Sequence, residues 1–460
     1  MARRTFVKES TLPYAASAVF EWHTRPGAFE RLNTPWKPVK ILHSSGGIED
    51  GSEVLIQVPI IGPCGIKWRF RHRGYVPGEQ FTDEQIAGPF KSWRHIHKVI
   101  PSGEAQCTLR DEITYELPSL AEPLGSLFVT ELERLFDYRH SVLAHDLALH
   151  ARWSDRPRAS VLVSGSSGLV GSALTSFLTT AGHSVTRLVR RPPSSPLERA
   201  WNPMLGELDP SVFEGIDVVI HLGGEEIASG RWSASKKARI KESRVASTGL
   251  LCSTLAKLPR PPRVAIMASA IGYYGDTGAT EVDESGPRGD GFLSETGWEW
   301  EAASLPLRDS ATRLVTMRIG TVLTARGGAL KKMLPAFLAG VGGPLGRGSQ
   351  FMSWISLQDL LGAFEHAIHS ESLAGIVNAV SPNPVTNYEF VKSLGNALRR
   401  PTVLPLPGFV LRTLFGELAD AVLLASTRVA PNALRKDGYT FLHSNLKEAL
   451  QFECGRRVSR

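Results

Sequence analysis

The sequence predicts an α/β chain, a doubly wound parallel sheet with a small C-terminal module, preceded by an α+β domain. Three observations predict it. The run Val161-Leu-Val-Ser164 opens into glycines at 165, 168 and 171 and then into a helical pattern, the beginning of a β-α-β unit. Two later runs, Gly215-Ile-Asp-Val-Val-Ile-His-Leu-Gly-Gly224 and Arg263-Val-Ala-Ile-Met-Ala-Ser-Ala270, have the apolar centres of strands buried on both faces. Before residue 153 the order differs: short strand-like runs between glycines and prolines come first, then one long amphipathic helix.

The chain has 460 residues, which exceeds one average domain. The expected division is residues 1–152, a polar linker at 153–159, and residues 160–460 with 401–452 as a C-terminal module. Apolar residues are 42% and charged residues 21%, a globular profile that excludes an intrinsically disordered chain. The net charge of +7 is scattered and forms no basic run, so nucleic acid is not an expected partner. Cys64, Cys107, Cys252 and Cys454 lie far apart without a C-x-x-C pair, so neither metal nor disulfide is expected and a reducing, cytoplasmic setting fits. The opening Met1-Ala-Arg-Arg-Thr-Phe6 has charge but no apolar run behind it, so no signal peptide is expected. The most apolar long stretch, Thr402 to Ala425, contains Arg412, Glu417 and Asp420, and reads as a buried helix rather than a membrane span.

In the N-terminal third, Arg4 to Leu12 alternates and Ala16 to Trp22 is helical. Strands are then expected at Glu53–Val58, Lys67–Arg73, Trp93–Ile100 and Cys107–Leu117, followed by a helix from Gly125 to His150. Trp93, His95 and His97 share one strand face, as do Arg69, Arg71 and Arg73. The histidines read first as cross-strand pairs at a wet surface, with a metal- or ligand-anchoring role as the lesser alternative, and no metal site is assigned. Phe20, Arg25-Pro-Gly-Ala-Phe-Glu-Arg-Leu32, Pro35-Trp36, Gly88 to Trp93, His95-Ile-His97 and Asp111 to Pro118 together resemble the helix-grip modules of the START/polyketide-cyclase (SRPBCC) superfamily. That resemblance implies an apolar ligand held between sheet and helix.

The G-x-x-G-x-x-G turn suits a pyrophosphate. Without Cβ atoms at Gly165, Gly168 and Gly171, and with Ser166, Ser167, Leu169 and Val170 between them, the backbone can approach an anion at a helix N-terminus. The helix is expected from Ser172, with Ala173, Leu174, Phe177 and Leu178 inward, and a second strand from Ser184 to Arg190. An NAD site usually has a carboxylate about twenty residues past the glycines. Here none occurs between Gly171 and Glu198, while Val189 is followed by Arg190 and Arg191, so NADP is the expected cofactor.

Further along, Leu222, Gly223 and Gly224 end a strand in small residues, which lets backbone pass close to the adenosine side of that cofactor. Arg239 and Arg244 lie on the next helix, either on a solvated face or at the cofactor's edge. Ser269 and Tyr273 form a hydroxyl pair at the carboxyl end of a strand, where proton transfer to a carbonyl would occur.

These residues, with Trp300-Glu301, Arg318-Ile-Gly-Thr-Val-Leu323, Gly327-Gly-Ala-Leu330 and Ser353-Trp-Ile-Ser-x-x-Asp-Leu360, resemble the extended short-chain dehydrogenase/reductases, and within them the atypical epimerase-like subgroup. That subgroup's C-terminal module is similar to Arg400 to Pro407, Gly416-Glu-Leu-Ala419 and Val429 to Phe441. The resemblance implies that Val322 lines the nicotinamide side, and that Gly340 to Gln350 bounds a substrate pocket which Asn378 to Pro384 closes from below. Six of those eleven loop residues are glycine or proline, the composition of a mobile lid. The usual Tyr-x-x-x-Lys is missing, since Gly291-Phe-Leu-Ser-Glu-Thr-Gly-Trp-Glu299 has neither residue. Three readings remain open: an NADP-dependent oxidoreductase or epimerase acting on an unidentified, apolar carbonyl or sugar-nucleotide substrate that the N-terminal module presents or stores, a catalytically silent NADP-binding sensor or scaffold, and a lipid or polyketide carrier.

Overall fold

The computed structural model describes residues 3–61 and 64–456, so Met1, Ala2 and the side chain of Cys64 lie outside the described residues. Two compact units emerge: Met1–Ser154 with Thr179–Gly182 and Phe452–Arg460, and Asp155–Leu178 with His183–Gln451.

The first unit is a seven-stranded antiparallel sheet and a long helix. In chain order it has β1 (Arg4–Leu12), α1 (Ala16–Thr24), α2 (Ala28–Leu32), β2 (Lys40–Ser44), β3 (Glu53–Ile61), β4 (Cys64–Val76), β5 (Gln80–Ala87), β6 (Ser92–Gly103), β7 (Gln106–Glu116) and α3 (Gly125–Ala151). The sheet order is β1-β7-β6-β5-β4-β3-β2. Strict alternation in β7 buries Cys107, Leu109, Asp111, Ile113 and Tyr115 on one face. α3 answers with a stripe of Leu132, Phe136, His140, Leu143 and Leu147 at helical spacing. The apolar interior is divided into two clusters, one around Phe20, Phe81 and Leu143, the other around Phe6, Trp93 and Phe136. His95 and His97 are only 3% and 8% exposed. The wet-surface reading is therefore corrected: their strand face is the one covered by α3, and β7 supplies a buried carboxylate to meet them.

The second unit opens with β8 (Ser160–Ser164), α4 (Leu169–Thr180), β9 (Ser184–Val189), β10 (Glu198–Ala200), β11 (Val218–His221), α5 (Ala234–Leu255) and β12 (Val264–Ala270). It continues with β13 (Glu281–Val282), α6 (Phe292–Ala302), β14 (Arg313–Ile319), β15 (Thr321–Leu323), α7 (Gly328–Leu338), β16 (Phe351–Met352), β17 (Trp354–Ser356), α8 (Leu357–His369) and β18 (Gly375–Ala379). The order β10-β9-β8-β11-β12-β14-β18 is parallel throughout. Winding reverses between β8 and β11, and ligands of such sheets bind at the carboxyl ends on either side of that reversal.

The C-terminal part holds β19 (Val385–Thr386), α9 (Asn387–Leu398), α10 (Gly408–Phe415), β20 (Arg428–Val429), α11 (Asn432–Lys436) and α12 (Leu446–Glu453). The single buried helix expected over 402–425 is not formed. Prolines 401, 405 and 407 keep the segment before α10 out of the helix, Gly416 ends α10, and Phe409 is 69% exposed. Among the described residues, no helix is long and apolar enough to cross a membrane.

Candidate functional site

The glycine turn is shaped by backbone contacts that leave no room for side chains. Gly165 has φ +71°, and a Cβ there would sit 2.8 Å from Leu222 C at the end of β11. A Cβ on Gly171 would fall well inside contact distance of Gly165 O, and one on Gly168 would lie 3.2 Å from that oxygen. α4 begins at Leu169, three residues before the expected Ser172, because the turn itself winds into the helix. Ser172 N–H bonds to Gly168 C=O, leaving the amides just before it without intrahelical partners. Ser166 is 9% exposed and Ser167 is open to solvent.

A buried histidine ties the two strands at the reversal. His221 Nε2 lies 3.0 Å from Ser247 Oγ, whose own proton goes to Ser243 O, so the ring donates from Nε2. Its Nδ1 then accepts from Ser164 Oγ at 2.5 Å. Burial holds the imidazole down to about 4, neutral near pH 7.

The two arginines after Val189 have separate fates. Arg191 grips Glu198 through both terminal nitrogens, at 2.7 and 2.9 Å. With the Ser194 amide it holds that carboxyl at about 2. β10 pairs in parallel with β9 and so places Glu198 opposite Arg187, within reach of Arg191 just past the strand, a tertiary effect that sequence distance conceals. Arg190 is exposed and forms no ion pair among the described residues.

Beyond β11, a Cβ on Gly223 would meet the His221 ring at 3.0 Å and one on Gly224 the Arg244 guanidinium at 3.1 Å. Arg244 is turned inward rather than onto a solvated helix face, its guanidinium against Gly224. Its Nη1 donates to the carbonyls of Glu225 and Ile240 at 3.0 and 2.9 Å, its head lies over Trp300, and burial lowers it to about 10. It clamps the loop after Gly224. Arg239 is exposed, donating to Ser235 Oγ on its own helix. Val322 lies on β15, and a Cβ on Gly328 would touch both Leu169 Cδ2 and Val322 O, so strand and glycine turn share a corner.

At the end of β12, Ser269 Oγ donates to Glu301 Oε1 at 2.6 Å. Arg318, opposite Ser269 on β14, donates to both Glu301 oxygens at 2.8 and 2.7 Å. Its Nη1 donates to Tyr274 OH, which donates in turn to Asn378 Oδ1, each at 2.8 Å. Tyr274 is thereby fully engaged. Tyr273 lies with its ring 3.5 Å beneath the Arg318 guanidinium, and its hydroxyl makes no hydrogen bond among the described residues. Glu301 and Arg318 were visible only as parts of motifs. A carboxylate and a guanidinium seventeen positions apart carry no local signal that they pair.

The glycine-rich loop is held rather than free. Leu345 N–H bonds to Asn387 Oδ1, Gly346 N–H to Leu406 O, and Gln350 Nε2 to the carbonyls of Leu345 and Leu423. Its glycines permit close packing, since a Cβ on Gly343 would collide with Leu404 backbone. With α10 it bounds a cleft of 870 Å³ that includes Arg347, Gln350, Phe409 and Arg412.

A model of the NAD dependent epimerase/dehydratase family matches residues 161–379, and one described as Domain of unknown function (DUF1731) matches residues 406–453. An epimerase family protein of Mycobacterium tuberculosis is 44% identical over 298 residues, 65% of this chain and 98% of that protein. Epimerase family protein SDR39U1 of Homo sapiens is 37% identical over 294 residues, 63% of this chain and 98% of that protein. Among solved structures, the nucleoside-diphosphate sugar epimerase from Corynebacterium glutamicum aligns with TM-score 0.81 and 32% identity over 98% of this chain and 90% of its own. Human SDR39U1 (isoform2), solved with NADPH, aligns with TM-score 0.60 and 35% identity over 64% of this chain and 99% of its own.

Proposed function

Because the chain belongs to the NAD dependent epimerase/dehydratase family, we propose that it is an NADP(H)-dependent oxidoreductase or epimerase acting on a small carbonyl or sugar-nucleotide substrate. The observation that carries the reading is the turn in which Gly165 and Gly171 leave bare peptide against the end of β11. In it, Gly165 to Gly171 hold the pyrophosphate, Arg190 takes the 2′-phosphate, Leu222 to Gly224 flank the adenosine, and Val322 faces the nicotinamide. The NADPH in the human relative's structure supports the same choice of nucleotide. The bound cofactor supplies or accepts a hydride. Tyr273 moves the matching proton at the substrate oxygen, and Glu301 with Arg318 positions Ser269 beside it. Arg347 on the cleft supports a substrate with an anionic group, while Arg412 beside it is engaged by Asp420. The N-terminal sheet and helix support a ligand-binding module of the START/polyketide-cyclase kind that supplies substrate at raised effective concentration. A silent NADP-binding sensor is the second reading, favoured by the engagement of both Ser269 and Tyr274 within the protein.

Quenching of tryptophan fluorescence tests the cofactor. NADPH is expected to bind more tightly than NADH, and Arg190→Ala to weaken NADPH alone by roughly 10- to 100-fold, the scale of one charge-assisted hydrogen bond. Equal affinities in the wild type overturn the assignment. NADPH oxidation across a panel of carbonyls and nucleotide-sugar ketones separates enzyme from sensor, and rates unchanged in both Ser269→Ala and Tyr273→Phe remove that pair from the chemistry.

A further inference from the structure

The two apolar clusters of the N-terminal unit are separated by buried polar side chains. His72 stands opposite Asp83 across β4 and β5, Asp83 opposite His95 across β5 and β6, and His97 opposite Asp111 across β6 and β7. One oxygen of Asp111 lies 2.7 Å from both His95 Nε2 and His97 Nδ1, and its other oxygen lies 2.7 Å from His140 Nε2. A carboxylate behind two imidazoles takes one N–H from each and turns the opposite nitrogens to a common side, as carboxylates behind metal-ligating histidines do. Those opposite nitrogens, His95 Nδ1 and His97 Nε2, lie 3.9 and 3.3 Å from the same oxygen of Asp83.

We propose that Asp83, His95 and His97 bind a first-row divalent metal ion of the zinc class, with Asp111 as the positioning carboxylate. Each of the three side chains offers a ligand atom, all within 4.8 Å of one another. The shortest separation, 3.3 Å, already matches the roughly 3.3 Å edge of a tetrahedron with zinc–ligand bonds near 2.0–2.1 Å. Two imidazoles and one carboxylate are donors suited to zinc and its first-row neighbours rather than to calcium or magnesium. A second observation points the same way. His72 Nδ1 lies 2.7 Å from Asp83 Oδ1 and so holds the carboxylate with its other oxygen toward the histidine pair.

The test uses the full chain freed of metal by a chelator and titrated with Co²⁺, followed by its visible d–d absorption, then with Zn²⁺ in competition. One equivalent of Co²⁺ is expected to bind and to be displaced by Zn²⁺. Asp83→Asn and His97→Gln should each weaken binding by more than about 100-fold, and Asp111→Asn by about 10- to 100-fold. Far-UV circular dichroism reports that each variant is folded. His369→Gln serves as the control, because His183, Glu365 and His369 form another grouping of ligand types. A wild-type chain with no one-equivalent signal overturns the proposal whatever the variants do. So does a signal undiminished in the Asp83→Asn/His97→Gln double variant, or one abolished by His369→Gln.

Discussion

Glu301 decides what the end of β12 can do. Its two oxygens take three hydrogen bonds, from Ser269 and from two nitrogens of Arg318, with side-chain exposures of 12% for Glu301 and 4% for Arg318. Removing one partner of so buried a pair leaves a charge without compensation and costs about 3–5 kcal/mol. Glu301→Ala is therefore expected to melt several degrees below the wild type by circular dichroism, with Glu301→Leu/Arg318→Met recovering part of the loss. A single variant that melts with the wild type would show that the pair does not hold the site. Arg190 and Arg191 make the complementary point. They are neighbours in sequence and both looked available, yet only Arg190 is free of an ion pair among the described residues, because a short added strand brings Glu198 to Arg191.

The β8–turn–α4 element was the most legible part of the chain, since glycine spacing, flanking strand and helical periodicity agree over one stretch. Its packing adds a sharp expectation. The hydrogen at Gly171 is required by Gly165 O, so Gly171→Ala must push α4 away from the turn. NADPH affinity should fall more than about tenfold, with fluorescence titration as the readout, while Ser172→Ala, one residue on, leaves it within about threefold. Other elements were illegible for stated reasons. β5, Gln-Phe-Thr-Asp-Glu-Gln-Ile-Ala, is poor in strand formers and is made a strand by its two neighbours; it carries Asp83. The 402–425 stretch is apolar enough for a core helix, but prolines and Gly416 divide it, and of the α10 side chains Leu411 is the buried one. The loop after Gly340 has a lid's composition, whereas its glycines make room for the backbone at Leu404.

At the scale of the whole molecule, buried imidazoles make stability depend on pH. His221 and His443 are both pushed by burial to about 4 from an ordinary 6.5. Between these values the unfolded chain binds protons that the folded chain does not, so stability is complete above about pH 6.5 and is lost as pH falls toward 4. Each shift corresponds to roughly 3 kcal/mol at its lower limit. The urea midpoint should fall from pH 7 to pH 5, and the fall should shrink in His221→Asn; an equal fall in both chains would remove His221 as a cause. Sequence by itself determined the class of both halves, the position of the dinucleotide turn and the missing Tyr-x-x-x-Lys, because these are written in local periodicity and in glycine spacing. Only the tertiary structure decided which of the two arginines is taken up by Glu198, that Ser269 answers to Glu301, and that His95 and His97 face an interior carboxylate. Those are pairings between groups far apart in the chain, and register and burial, which set them, are properties of the assembled sheets.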